Sequence, residues 1–155
     1  MADPIISRRV ITGLLITRLR TLTGVTVYRG RVDDRPPVMV DALGAPDSLG
    51  RVAPYVVHYS GAGSPEPGDE DLGNQHVDLL YTCQLTLAAG SDEDLDHLAD
   101  RVVPLVYRWV PPLTGVNSGG FEPPPGYDPG ANRRDDTVDP PRYWTPLQLQ
   151  LVVTT

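Results

Sequence analysis

Residues 77–110 read VDLLYTCQLTLAAGSDEDLDHLADRVVPLVYRWV, and this stretch decides the fold. Val77, Leu79, Tyr81, Cys83, Leu85 and Leu87 alternate with Asp78, Thr82, Gln84 and Thr86, with Leu80 as the exception. A period of two marks a strand with one buried face. Gly90 breaks it. Ser91, with Asp94 three residues on, has the form of a helix N-cap, and Asp92 and Glu93 suit the positive end of a helix. Leu95, Leu98, Val102, Leu105, Val106 and Trp109 follow at helical spacing. Pro104 lacks the N–H a helix interior needs, which predicts a kink or a split there.

Working outward, Asp3-Pro4 has N-cap and first-turn chemistry for an N-terminal helix. Its stripe reads Ile6, Val10 and Leu14, with Ile11, Leu15 and Leu22 beside it, and Gly24 closes it. Residues 25–32 and 55–59 (YVVHY) read as strands, with a loop-rich stretch over 33–53 and a polar loop over 60–75. Residues 111–141 carry eight Pro and five Gly and no periodicity. Such a long irregular segment is either functional or disordered. In the C-terminal RYWTPLQLQLVVTT, Tyr143, Leu147, Leu149, Leu151 and Val153 alternate with Gln148 and Gln150. This is a closing strand, and Pro146 favours an edge or the strand's beginning. The expectation is a single α+β domain over residues 1–155. It has a mixed or antiparallel sheet of four to five strands, two main helices on one face, and long Pro/Gly-rich loops.

Composition removes several functions. A net charge of −7 argues against a general nucleic-acid binder, which needs clustered cations. All thirteen basic residues are arginine, so Schiff-base chemistry and a P-loop lysine are excluded. Cys83 is the one cysteine and lies on the apolar face of its strand, which predicts core packing and excludes an intrachain disulfide. No apolar run reaches the ~18 residues of a membrane span, and MADPIISRRV has no signal-peptide pattern. The expectation is a soluble protein made in a cytoplasm.

No catalytic or metal constellation emerges. His58, His76 and His97 lack paired spacing and read as surface or half-buried residues. The acidic runs 69–71, 92–94 and 135–136 do not follow a calcium-loop pattern. There is no GxSxG, and neither 61–63 nor Gly119-Gly120 sits between a strand and a helix as a phosphate loop would. No catalytic residue, metal or cofactor is therefore expected.

What remains are features of assembly. Gln84 and Thr86 place uncharged polar groups on the non-core face of a long strand, suited to solvent or to a neighbouring subunit. Phe121, Tyr127 and Trp144 are aromatics in or beside the irregular segment, suited to anchoring a partner or to folding back. Arg133 and Arg134 can pair with a neighbour's acids or balance Asp135 and Asp136. The loop residues Asp69, Glu70, Asp71 and Asn74 complete the candidate contacts.

The element order, with LLYTCQLTLAAGSDEDLDHLADRVVPLV at 79–106, ITGLLITRLRTL at 11–22 and LQLQLVV at 147–153, resembles the tail terminator (tail completion) proteins of long-tailed siphophages, the lambda-type family and its actinobacteriophage relatives. The resemblance covers roughly half the chain. It implies a non-enzymatic virion protein of the tail or neck, assembled in the host cytoplasm. Such a protein forms a homohexameric ring that caps the tail tube and meets the head connector. Its partners are the tail tube protein and the connector proteins, and genomic DNA passes through the pore without specific binding. An acidic chain suits such a pore. The alternatives are another connector component, a stopper or adaptor, or a small ligand-binding or hydrolase domain using loop carboxylates. The irregular segment is longer than in the compact form of the family, and deleting 117–136 is expected to leave the fold while impairing head–tail joining.

Overall fold

The structure is a computed structural model and describes residues 7–32, 35–61, 64–65 and 79–154. In chain order the elements are α1 (Arg8–Leu19), β1 (Thr26–Arg29), β2 (Tyr55–Ser60), β3 (Ser64–Pro65), β4 (Leu79–Ala89), α2 (Asp92–Val106), β5 (Asn117–Ser118), β6 (Arg133–Asp135) and β7 (Arg142–Thr154). The sheet runs β1-β2-β4-β7-β5, with β3 added to β4 and β6 added to β7. Only β1 and β2 pair in parallel, so the sheet is mixed. The fold is α+β with four main strands; the other three are two- or three-residue additions.

The alternation in β4 puts Tyr81, Cys83, Leu85 and Leu87 on the face that both helices cover. It pairs with β7 from Leu79↔Val153 to Ala89↔Tyr143, so Leu147, Leu149, Leu151 and Val153 join the same core. Gly90 ends β4 for a steric reason. A Cβ there would lie 2.8 Å from both Arg51 Cβ and the Val52 carbonyl oxygen, where the chain leading into β2 crosses.

In α2 the Ser91 hydroxyl accepts the Asp94 N–H at 3.1 Å, and Leu95, Leu98, Val102 and Val106 are buried. The expected split at Pro104 does not occur. Pro104 lies in the last turn, and the helix runs through it to Val106. In α1 Ser7 is the N-cap, its hydroxyl accepting from Val10 N–H. The expected start at Asp3-Pro4 and Ile6 lies outside the described residues. The stripe is also rotated from the expected one: Ile11, Leu15, Ile16 and Leu19 are buried while Val10 is exposed. The doublets Val10-Ile11 and Leu14-Leu15 make both registers apolar, and Leu19 favours the one that packs. Arginines tie the helices together. Arg18 Nε donates to the Leu105 carbonyl at 2.7 Å and lies 4.8 Å from the Trp109 ring, while Arg101 donates to the Thr23 carbonyl at 2.8 Å. Both carbonyls are near helix C-termini, where intrahelical donors run out.

The segment 111–141 is structured, and it seals the outer edge of β7. The Glu122–Gln150 bridge exchanges both backbone hydrogen bonds, at 3.0 and 2.7 Å. By the strand's alternation, Trp144, Pro146, Gln148 and Val152 therefore also present their backbone groups to that edge. Val152 carbonyl accepts from Gly119 N–H, Pro146 carbonyl accepts from the Tyr127 hydroxyl at 2.9 Å, and Trp144 pairs with Arg133. Pro146, which has no N–H, sits where a side chain rather than a strand is its neighbour.

Two features dock this strap. Arg108 takes a φ of 63°, its N–H donating to the Phe121 carbonyl, and Phe121 N–H returns to the Trp109 carbonyl. The chains approach so closely that a Cβ on Gly120 would lie 2.8 Å from Arg108 Cα. Phe121 is consequently fully buried, stacked on Trp109 at 5.8 Å and edge-on to Tyr81 at 6.2 Å. Phe121 as a partner anchor is thus corrected: it belongs to the chain's own core. The expectation that 117–136 can be removed without loss of fold falls with it, because that piece holds Phe121 and the whole of β5 and β6.

Candidate functional site

Of the seven expected contact residues that are described, the face of the sheet turned away from the helices carries five: Gln84, Thr86, Tyr127, Arg133 and Trp144. Across β4 and β7 the register gives rows Thr82–Gln150, Gln84–Gln148, Thr86–Pro146 and Ala88–Trp144, and β2 adds Tyr59 beside Gln84 and Val57 beside Thr86. The Ala88 end is apolar. Val52, Tyr55, Val57 and Ala88 form a small buried cluster that Tyr28, Val32 and Trp144 partly cover. The Gln84 end is polar and open, and Gln84 Nε2 donates to Thr86 Oγ1 at 3.2 Å. Two clefts meet there. One, of about 400 Å³, reaches from Tyr59 and Ser60 across Thr82 and Gln84 to Pro124. The other, of about 290 Å³, lies between Gln84, Tyr127, Arg133 and Trp144. Gln84 and Gln148 line both.

Gln84, Tyr127, Arg133 and Trp144 are therefore brought together, with Thr86 next to them. The aromatics serve the chain's own packing first. Tyr127 is half-buried and hydrogen-bonded to Pro146, and Trp144 carries the Arg133 guanidinium 4.9 Å from its ring. Arg134 is separate: it pairs with Asp136 at 2.7 Å and lies 5.7 Å from the Tyr143 ring. That is the charge-balancing arrangement. Asp69, Glu70, Asp71 and Asn74 lie outside the described residues.

Sequence reading missed a buried polar triad. The Tyr81 hydroxyl lies 2.7 Å from Thr12 Oγ1 and 3.1 Å from His58 Nε2, joining α1, β4 and β2. All three side chains are buried, so His58 is corrected from a surface or half-buried residue to a core one. Burial, helped by the Arg29 charge, lowers the His58 pKa to about 4. Burial likewise raises the Tyr81 hydroxyl pKa and pushes the Cys83 thiol up to about 12. At neutral pH these groups are uncharged and shielded, which suits a structural tie and not proton transfer or thiolate attack. Alternation in YVVHYS places His58 on the same face as Val56, but Tyr55 and Val57 make the opposite face equally apolar. Tyr81→Phe removes the shared hydroxyl and leaves two buried polar groups without their partner. We expect a loss of about 1–3 kcal/mol in chemical denaturation, against no loss if the triad is incidental.

Among the described residues no group of three or more His, Cys, Asp or Glu side chains could hold a metal ion, and no helix is long and apolar enough to cross a membrane. In comparisons with known proteins, no family model and no curated protein matches the chain.

Proposed function

We propose that the chain is a structural virion protein of the tail terminator kind, a hexameric ring that caps the tail tube and joins it to the head connector. The observation that supports this reading is the outer face of β4 and β7. Thr82, Gln84, Thr86, Gln148 and Gln150 line it with amides and hydroxyls on a pair of strands registered along the whole of β4, and the charges of Asp128 and Arg133 stand at the far wall of one cleft. Uncharged polar groups can be covered by a neighbour without stranding ions, so desolvation of these strand positions on assembly stays small. A central pore then lets DNA through an acidic ring without adhesion.

The test is arrest of tube growth. Purified protein added to polymerising tube protein should stop elongation, and binding to tube ends rather than to the portal-side adaptor separates a terminator from a stopper. Gln84→Arg places a charge on the shared wall of the two clefts. It should abolish the arrest while the protein stays folded, at a stability loss of about 1 kcal/mol for the Gln84–Thr86 hydrogen bond. Continued growth at an unchanged rate with wild-type protein would sink the proposal.

A further inference from the structure

The charges of this chain are sorted by place. Residues 7–32 carry six arginines and no carboxylate, while residues 92–100 carry five carboxylates and no arginine. Helix geometry sets each group on one side. Arg18 faces α2, since its Nε donates to the Leu105 carbonyl, and Arg20 stands roughly 200° further round the helix. Arg9 lies about three turns before Arg20 on the same line, so both point away from α2. Arg29 joins them. It is on β1, the last strand of the sheet on that side, and it shares the helix-covered face with buried Val27. Its register partner His58 meets Thr12 through Tyr81, which sets Arg29 beside the first half of α1. Arg9, Arg20 and Arg29 are exposed and form no ion pair among the described residues.

The opposite side of the helix pair is acidic. Asp92 and Asp96 both accept from the Asn132 amide, at 2.8 and 2.9 Å, so they face the strap along β7. Arg101, by contrast, reaches across to Thr23 at the end of α1. Asp100 continues the line of Asp92 and Asp96 one turn on, with Glu93 beside it. These four carboxylates are exposed and form no ion pair among the described residues. Neither stripe serves its own helix. The macrodipole disfavours Arg9 in the first turn of α1, where no acid offsets it. Asp92 and Glu93 suit the start of α2, but Asp96 and Asp100 lie past its first turn and repel along the helix. Each stripe supplies what the other lacks. They look in opposite directions, so one copy cannot join its own. Their lengths correspond, at roughly 16 Å from Arg9 to Arg20 and roughly 12 Å from Asp92 to Asp100.

We infer that the Arg9, Arg20 and Arg29 edge of one copy docks on the Asp92, Asp96 and Asp100 stripe of the next copy. This rests on the ring reading above and names its lateral contact. The two surfaces differ, so the contact is head-to-tail, and a head-to-tail contact closes into a ring when its rotation permits.

The experiment is sedimentation of the full-length protein over a dilution series, alone and with tube ends. Wild type should sediment as a ring. Its association should weaken at least about tenfold as salt rises from about 0.01 M to about 1 M, over which the screening length falls from ~30 Å to ~3 Å. Arg9→Glu/Arg20→Glu and Asp96→Arg/Asp100→Arg should each weaken association about tenfold to a hundredfold, since each sets like charges face to face. An equimolar mixture of the two should assemble again, because each copy then finds the opposite charge on both neighbours. Should a variant misfold by circular dichroism, the wild-type salt series decides: association unchanged across it overturns the contact. Wild-type rings with undiminished assembly of the variants, or variants that do not recombine on mixing, overturn the contact and leave the ring reading intact. So do intact rings of the Arg9→Glu/Arg20→Glu variant that have lost a wild-type retention on duplex DNA, which assigns the edge to a polyanion. Wild type that stays monomeric throughout, even with tube ends, overturns both.

Discussion

Phe121→Ala is expected to destabilise the protein by about 3–5 kcal/mol, the usual range for truncating a fully buried aromatic. The ring is stacked on Trp109 and edge-on to Tyr81, so truncation opens a cavity at the junction of the strap, α2 and the sheet. Collapse cannot fill it cheaply. The backbone on either side is pinned by the Arg108–Phe121 and Phe121–Trp109 hydrogen bonds, at 2.7 and 3.0 Å. Against a typical total of about 5–15 kcal/mol, such a loss leaves a marginal fold. Denaturant unfolding followed by tryptophan fluorescence measures it directly, because Trp109 reports on the same contact. A midpoint shift worth less than about 1 kcal/mol would mean the strap is not integral to the core.

The second large effect is acid sensitivity through His58. Its folded-state pKa is lowered to about 4 from an ordinary 6.5. Between those values the unfolded chain binds the proton and the folded chain does not, so stability rises with pH. The stabilisation is complete above about pH 6.5 and is lost progressively as pH falls toward 4, in total about 3 kcal/mol. The upper part of the window is the cleanest, because few carboxylates titrate there. From roughly pH 6.5 to roughly pH 5 the loss should be about 2 kcal/mol. His58→Gln should flatten that slope while lowering stability at neutral pH. A wild-type profile that is flat over this interval would contradict a buried, neutral His58.

These two residues mark where the sequence stopped being readable. The strand–turn–helix of β4 and α2 is a local matter: alternation, a Ser91 cap and a helical stripe each depend on near neighbours, and they were legible as far as Val106, while Trp109, expected on the stripe, falls past the helix end. The face of α1 was not, because the doublets at 10–11 and 14–15 satisfy two registers. Phe121 lies among Gly119, Gly120, Glu122 and Pro123, which carry no periodicity. Its burial depends on a non-local contact with Arg108 and Trp109. His58 was obscured for a related reason. Tyr55 and Val57 on the opposite face of β2 are also buried, so the strand does not show which side is core. Of the candidate contacts, Gln84 and Thr86 followed from alternation and do lie on the outer face. Their meeting with Arg133 and Trp144 required the β4–β7 and β6–β7 registers.

Electron microscopy of tube ends incubated with the purified protein tests most directly the proposal that copies of this chain form a ring on the end of a tail tube. We expect closed rings of copies at one end of each tube, with the β4–β7 outer face in contact with a neighbouring subunit or the tube. Bare ends on all tubes, with the protein present and folded, would contradict the account.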